Sequence, residues 1–310
     1  MGKKNLRIHE QKSKVKESIM NIFHYAEEIG NTLDDLWRES SFNINFFPEL
    51  AHNTILNRKP EEEIDIYNLP FDLLSNQNIP KQRVNSGSKF GQPPLTLYTS
   101  SDKRFFIEIY LWSSVDMTIH DHPFSGAFSV IKGKCKHDTF TYERTGGTDE
   151  LQIGSLELQK SEMLFSGDCR MILNGDNLIH RNLHLSRPTV TFIIRTYKDP
   201  GFTGMIFEES GLGIVPDLNI NEVKYLDFLD GFIKLHNYEH AVNMIKVIID
   251  SDCKDYAKFR SIEMYLETTR RYYEMDMLIE VFTSKNPLIT SKILRDTFEF
   301  QRNFYLSNKN

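Results

Sequence analysis

The stretch WSSVDMTIHDHPFSGAFSVIKG, residues 112–133, decides the fold of this chain. A strand-like block, RFFIEIYLW at 104–112, leads into it, and the triplet His120-Asp121-His122 lies at its centre. Because strand side chains alternate between two faces, His120 and His122 are expected on one face of a strand and Asp121 on the other. Two imidazoles on one face predict two ligands of one metal ion, and neutral imidazole suits iron, copper, nickel and zinc.

A third ligand is predicted within NGDNLIHRNLHLSRPTVTFIIRT, residues 174–196. The run Asn174-Gly175-Asp176 indicates a turn, and a strand-like segment follows it. His180, Asn182 and His184 alternate on that segment, so all three are expected on the same interior face. We predict His180 as the third ligand. His184 is the alternative ligand. If it is not a ligand, it is either a catalytic group beside the site or a surface residue.

These elements resemble the two cupin motifs: H-x-H, then Gly133, then a lone histidine near a later glycine-containing turn. The usual first motif also carries a glutamate ligand shortly after H-x-H, where this chain has Gly126 and Ala127. The missing glutamate, the wording I-H-D-H and the aromatic strand before it resemble the cysteine dioxygenase branch of the cupins. The resemblance covers residues 95–196. It implies ferrous iron held by three histidines, and an enzyme that oxidises a small molecule with O2.

The chain also departs from that branch. Members that bind a substrate carboxylate use an arginine just after a Y-T pair, whereas Tyr98-Thr99 is followed here by Ser100. The active-site tyrosine of the family falls at Arg195, and the cysteine that some members crosslink to it falls near Gly126 or Ala127. The metal ligands are therefore expected to be retained while the substrate contacts differ, so free cysteine is a disfavoured substrate.

Catalytic roles are predicted for Arg195 and Tyr142, with His184 as a third candidate. Arg195 shares parity with Thr191 and Ile193 on the strand after His180. If it points inward, it is a fixed cation suited to a carboxylate, a phosphate or a superoxo group, and if outward it merely ends a strand. Tyr142 is expected to line the pocket or to lie in the core. His137 is expected to be structural or solvated.

The composition excludes several classes of protein. A net charge of −6 provides no basic field for nucleic acid. No apolar run approaches the roughly 20 residues of a membrane-spanning helix, and the N-terminus lacks the apolar core of a signal peptide. Three widely spaced cysteines without a C-x-x-C pair are typical of a reducing compartment, which favours a cytoplasmic protein.

The predicted fold is α+β: a cupin-type antiparallel β-barrel, or double-stranded β-helix, with N-terminal helices and a C-terminal all-α domain. The expected bounds are 1–94 for the helical and irregular N-terminal segment, 95–208 for the barrel and 215–310 for the C-terminal domain. Strand-length runs separated by turn signals indicate the barrel. The glycines of 201–213 suggest a linker, but its apolar residues predict that the helices pack on the barrel.

The sequence therefore predicts a mononuclear Fe(II) oxygenase whose partners are a small-molecule substrate and O2. Zinc or nickel in the same three-histidine site, serving hydrolysis or isomerisation, is the first alternative. The second is a non-enzymatic sensor or scaffold, in which the barrel binds a metal or ligand and the C-terminal helices bind a protein. Neither nucleic acid nor a membrane is expected as a partner.

Overall fold

The computed structural model describes residues 21–76, 79–82, 94–113, 118–286, 289 and 291–307. Its first helices are α1 (Ile22–Glu39), α2 (Phe47–Arg58), α3 (Pro60–Glu63) and α4 (Leu69–Ser75). The sequence Gly30-Asn31-Thr32 suggests a break between two helices, but α1 runs through these residues without one. A Cβ on residue 30 would lie 2.3 Å from a ring carbon of Tyr98. Because Gly30 has no side chain, the ring of Tyr98 packs directly on α1 at this position. The basic residues 1–16 lie outside the described part of the chain.

Two antiparallel sheets form the barrel. The first has the strand order β1-β2-β9-β4-β7, and the second closes into a ring in the order β10-β11-β6-β5-β8-β3. This arrangement confirms the α+β class and the cupin-type antiparallel barrel. The strands are β1 (Leu95–Thr99), β2 (Phe105–Trp112), β3 (Ile119–His122), β4 (Gly126–Lys132), β5 (Lys134–Gly147), β6 (Leu151–Phe165), β7 (Cys169–Ile172), β8 (Gly175–His184), β9 (Thr189–Thr196), β10 (Ile206–Phe207) and β11 (Leu212–Ile214).

Strand β9 shows how the sequence builds the first sheet. Val190, Phe192 and Ile194 are fully buried in a cluster that also holds the apolar faces of α1 and α2. The alternate side chains, Thr191, Ile193 and Arg195, line the cavity inside the barrel. Both faces of β9 are therefore covered, with an apolar outer face and an inward face that carries the polar Thr191 and Arg195. The N-terminal helices thus cover the outer face of this sheet.

The C-terminal helices pack on the ring-shaped sheet. They are α5 (Ile220–Lys234), α6 (Tyr238–Asp250), α7 (Asp255–Thr269), α8 (Met275–Lys285) and α9 (Ser291–Ser307). One buried cluster joins their apolar faces to Leu151, Ile206, Leu212 and Ile214 of the barrel. The prediction that these helices pack on the barrel is confirmed.

The stretch from Gly201 to Gly213 is not a linker, contrary to the sequence prediction. It contains β10 and most of β11, which close the ring by pairing with β3 and β6. Gly211 serves a close approach, because a Cβ there would lie 2.0 Å from the Gly154 carbonyl oxygen. The strands therefore continue past residue 208, while the division into three domains stays a prediction. Among the described helices, none combines the length and the apolar content that crossing a membrane would require.

Candidate metal centre

Three histidines converge on one wall of the barrel. Strand β3 pairs with β8 so that His120 lies directly opposite His180. The Nε2 atoms of His122 and His180 are 2.9 Å apart, and each of the three residues offers one ring nitrogen within 4.8 Å of the others. Metal–nitrogen bonds of about 2.0–2.1 Å place neighbouring ligand nitrogens roughly 3 Å apart, so this spacing fits a bound ion. The structure therefore brings together all three predicted ligands.

Hydrogen bonds orient two of these rings. The Nδ1 atom of His120 donates to the carbonyl oxygen of Thr118 at 3.0 Å, which leaves Nε2 with the lone pair. The Nδ1 atom of His180 lies 2.9 Å from Nε2 of His137, so its own Nε2 faces His122. Both rings thus turn the same nitrogen toward the common point. A ligand histidine needs such a partner on its other nitrogen to fix tautomer and ring angle.

Burial keeps these rings neutral. It lowers the pKa of His122 and of His180 well below the ordinary value, and the neighbouring His120 lowers both further. Arg195 adds to the effect on His122. Because a metal binds the neutral imidazole, this environment suits ligation at neutral pH.

No carboxylate reaches the site from the position where the usual cupin motif has its glutamate. A Cβ on residue 126 would lie 2.0 Å from the Ile194 carbonyl oxygen, so Gly126 admits the close pairing of β4 with β9 and nothing larger. Ala127 is buried on the opposite face, with the N-terminal helices. A set of three neutral histidines is therefore what this backbone allows here.

The arginine predicted near the site points inward and is already paired. Its Nε donates to Oε2 of Glu108 at 2.9 Å, and Nη1 donates to the carbonyl oxygen of Thr196 at 3.1 Å. Both side chains of the pair are buried, at 6% exposure for Arg195 and 0% for Glu108. The guanidinium lies 4.4 Å over the ring of Phe124, which stacks on His122. The sequence predicted a fixed cation if Arg195 points inward, and the structure shows that cation in a buried ion pair with Glu108.

The other predicted catalytic residues lie in different places. His184 lines the cavity but is not part of the three-histidine group, and its ring stacks on Trp112 with centroids 4.3 Å apart. Tyr142 does not line the cavity: its hydroxyl donates to the Gly211 carbonyl oxygen and its ring packs on Phe207. Tyr142 was misplaced because β5 extends far beyond the cavity. Ser100 lies in the turn after β1, where its hydroxyl donates to Asp102, and it too is outside the lining.

Sequence reasoning expected His137 to be structural or solvated and did not place it beside His180. It is buried at 3% exposure and contacts His180 through Nε2. The pairing of β5 with β8 places His137 opposite Asn182, on the inward face that also carries His180. Parity along one strand had been read, but the register between strands is not visible in the sequence.

The three histidines border a cavity of about 650 Å³ between the sheets. That volume lies within the range for small-molecule sites. Apolar side chains dominate its interior: Tyr110, Trp112, Phe124, Phe128, Ile172, Ile193, Met205 and Val215. At the rim, Asp217 is paired with Lys254, so the helical region braces the mouth.

Comparisons with known proteins give fold-level similarity only. No protein-family model and no curated protein matches the chain. Similar solved structures include an uncharacterised double-stranded β-helix protein from Klebsiella pneumoniae, 12% identical over 41% of this chain and 97% of that chain, with a TM-score of 0.25.

Two enzymes are also among the similar solved structures. Hydroquinone 1,2-dioxygenase, solved with Cd2+ and 4-hydroxybenzonitrile, is 14% identical over 41% of this chain and 86% of that chain, with a TM-score of 0.26. Oxalate oxidase in complex with glycolate is 15% identical over 41% of this chain and 61% of that chain, with a TM-score of 0.25. At these TM-scores the similarities assign neither a relative nor an activity to this chain.

Proposed function

We propose that the protein is a mononuclear non-haem Fe(II) oxygenase that oxidises a small molecule with O2. The observation that carries this proposal is the convergence of His120, His122 and His180 at the wall of a largely apolar cavity. Iron, when bound, would supply the redox chemistry with O2 that no side chain here possesses. The resemblance of residues 95–196 to the cysteine dioxygenase branch supports iron over zinc or nickel.

The residues of the chain would then perform four tasks. His120, His122 and His180 would hold the ion, and three protein ligands would leave coordination positions open. The apolar walls keep bulk water from the reacting atoms. Trp112 donates its indole N–H to Thr191 at 2.9 Å and stacks on His184, which fixes one side of the substrate space. Arg195, held by Glu108, places a neutralised cation beside His122.

The substrate we propose is a small, mainly apolar molecule that carries at most one group able to bind the metal. A free amino acid is disfavoured because its carboxylate would compete with Glu108 for Arg195 inside the protein. This reason replaces the sequence argument from Ser100, which lies outside the cavity lining.

Oxygen consumption by the iron-loaded protein tests the proposal. The protein would be loaded with Fe(II) under anaerobic conditions and mixed with O2 and either cysteine, cysteamine or an uncharged aryl or alkyl thiol. We expect uptake to depend on iron and to be faster with the uncharged thiols than with cysteine. His122→Ala should abolish it, while the matched control His24→Ala, an exposed histidine on α1, should not. The absence of iron-dependent uptake, or equal uptake in His122→Ala, would reject the oxygenase.

Elemental analysis of the same samples decides between the metals. Zinc or nickel retained at the three histidines, with no iron-dependent oxygen uptake, would favour the hydrolase or isomerase alternative. The cytoplasmic location and a protein partner for the C-terminal helices remain predictions.

A further inference from the structure

A chain of hydrogen bonds runs from the buried His180 to the partly exposed carboxylate of Glu162. The Nδ1 atom of His180 lies 2.9 Å from Nε2 of His137, and Nδ1 of His137 lies 3.3 Å from Oε1 of Glu162. Glu162 in turn accepts two bonds from Arg170, from Nε at 2.9 Å and from Nη2 at 2.7 Å. We propose that His137 and Glu162 are positioning residues that set the tautomer and ring angle of His180 for metal binding. This inference rests on the proposed metal site.

The carboxylate of Glu162 determines which nitrogen donates in each of these hydrogen bonds. A carboxylate only accepts hydrogen bonds, so Nδ1 of His137 carries the proton toward Glu162 and Nε2 keeps a lone pair. That lone pair can only accept, so Nδ1 of His180 carries the proton between the two rings. The Nε2 atom of His180 is then unprotonated and faces His122. One carboxylate near the surface thereby fixes the protonation of two buried rings.

Glu162 is suited to this role because its charge is held. Hydrogen bonds from Arg170 and Lys160 hold the pKa of the Glu162 carboxyl far below its ordinary value. The two bonds from Arg170 also fix the plane of the carboxylate, since a guanidinium and a carboxylate match side by side. The acceptor that orients His137 is therefore charged and immobile.

The register of the strands brings the side chains of these hydrogen bonds together. His137 on β5 lies directly opposite Glu162 on β6, and opposite Asn182 on β8, one inward position from His180. Phe128 meets both imidazoles edge-on, with centroids 5.8 Å from His137 and 6.2 Å from His180. Each ring is thus fixed by a hydrogen bond at its nitrogen and by an apolar neighbour at its side.

The metal-binding test uses Co2+ as a spectroscopic probe of the full-length protein. Metal-ligand partners of this kind change affinity about 10- to 100-fold when removed, so His137→Leu should weaken Co2+ binding by that range. His137→Gln, whose side-chain oxygen can accept from His180, should recover part of the loss. Glu162→Gln should have an intermediate effect, and the matched control Glu157→Gln, exposed on the same strand, should bind like the wild type.

A second readout needs no metal. Long-range 15N NMR of the histidine rings reports which nitrogen of His180 carries the proton. We expect the Nδ1–H form in the wild-type protein and in His137→Gln, and a growing Nε2–H population in His137→Leu. Glu162 is the residue of these hydrogen bonds that lies farthest from His180. Glu162→Gln therefore allows the same measurement if His137→Leu does not fold.

The two failures are distinguishable. An unchanged His180 tautomer and unchanged Co2+ affinity in His137→Leu and Glu162→Gln would overturn the positioning role. A wild-type protein that keeps the Nδ1–H tautomer but binds no Co2+ would instead contradict the metal site, on which the inference rests.

Discussion

The two walls of the cavity handle polar groups in opposite ways. On the wall formed by β3 and β8, three neutral imidazoles turn ring nitrogens toward one another without a carboxylate at the expected position. On the wall formed by β2 and β9, Glu108 and Arg195 carry full charges that satisfy each other. Buried charges are tolerated only when paired, whereas neutral imidazoles can remain buried without a bound metal ion. The wall of β3 and β8 can therefore bind a metal ion, and we call it the binding wall. The wall of β2 and β9 has its charges satisfied within the protein, and we call it the paired wall.

The largest expected effect comes from removing the support of the binding wall. Cutting the chain after Ser210 deletes β11 and all C-terminal helices, which opens the ring and exposes Leu151 and Ile206. We expect residues 1–210 to be insoluble or to melt without cooperativity. A soluble fragment that melts cooperatively and keeps its metal would show that the helices are an independent domain.

A smaller loss is expected from breaking the paired wall. Glu108→Ala leaves the guanidinium of Arg195 buried without its carboxylate, which should lower the free energy of unfolding by about 3–5 kcal/mol. Urea unfolding measures this loss. The double variant Glu108→Leu with Arg195→Met should recover most of it, because the unpaired charge is gone. If Glu108→Ala costs less than about 1 kcal/mol, the charges of this wall are not coupled as described.

The pH dependence of the free energy of unfolding tests the hydrogen bonds of Glu162 independently of the two walls. The pKa of Glu162 is lowered in the folded protein, so the carboxylate contributes stability above its ordinary value of 4.5, and that contribution is lost as the pH falls below it. Glu162→Gln lacks this contribution. The stability of the wild type should therefore fall toward that of the variant from about pH 5 downward, by roughly 1 kcal/mol or less because the pair is partly exposed. Parallel curves would contradict the account.

The sequence predicted the binding wall better than the paired wall. Alternation along one strand was enough to place His120 with His122, whereas the parity of Arg195 left open whether its side chain points inward or outward. The partners came from other strands: Glu108 is opposite Ile193 on β9, and His137 is opposite Glu162. Which strands pair, and in which register, is decided by the whole fold, so neither the Arg195 ion pair nor the role of His137 could be predicted.

Glycine signals were the other source of error. Gly30 and Gly211 were read as a helix break and a linker, because glycine is common in both. In the structure each removes a side chain where another part of the chain approaches closely. Only the fold distinguishes these two uses of glycine.

The metal content of two single variants tests the central claim most directly. His122 belongs to the three-histidine group, whereas His184 lines the same cavity but stacks on Trp112 outside that group. Elemental analysis after loading with Fe(II) should find about one ion per chain in the wild type and in His184→Ala, and nearly none in His122→Ala. Metal retained in His122→Ala, or lost equally in His184→Ala, would contradict the assignment of His120, His122 and His180 as the ligands.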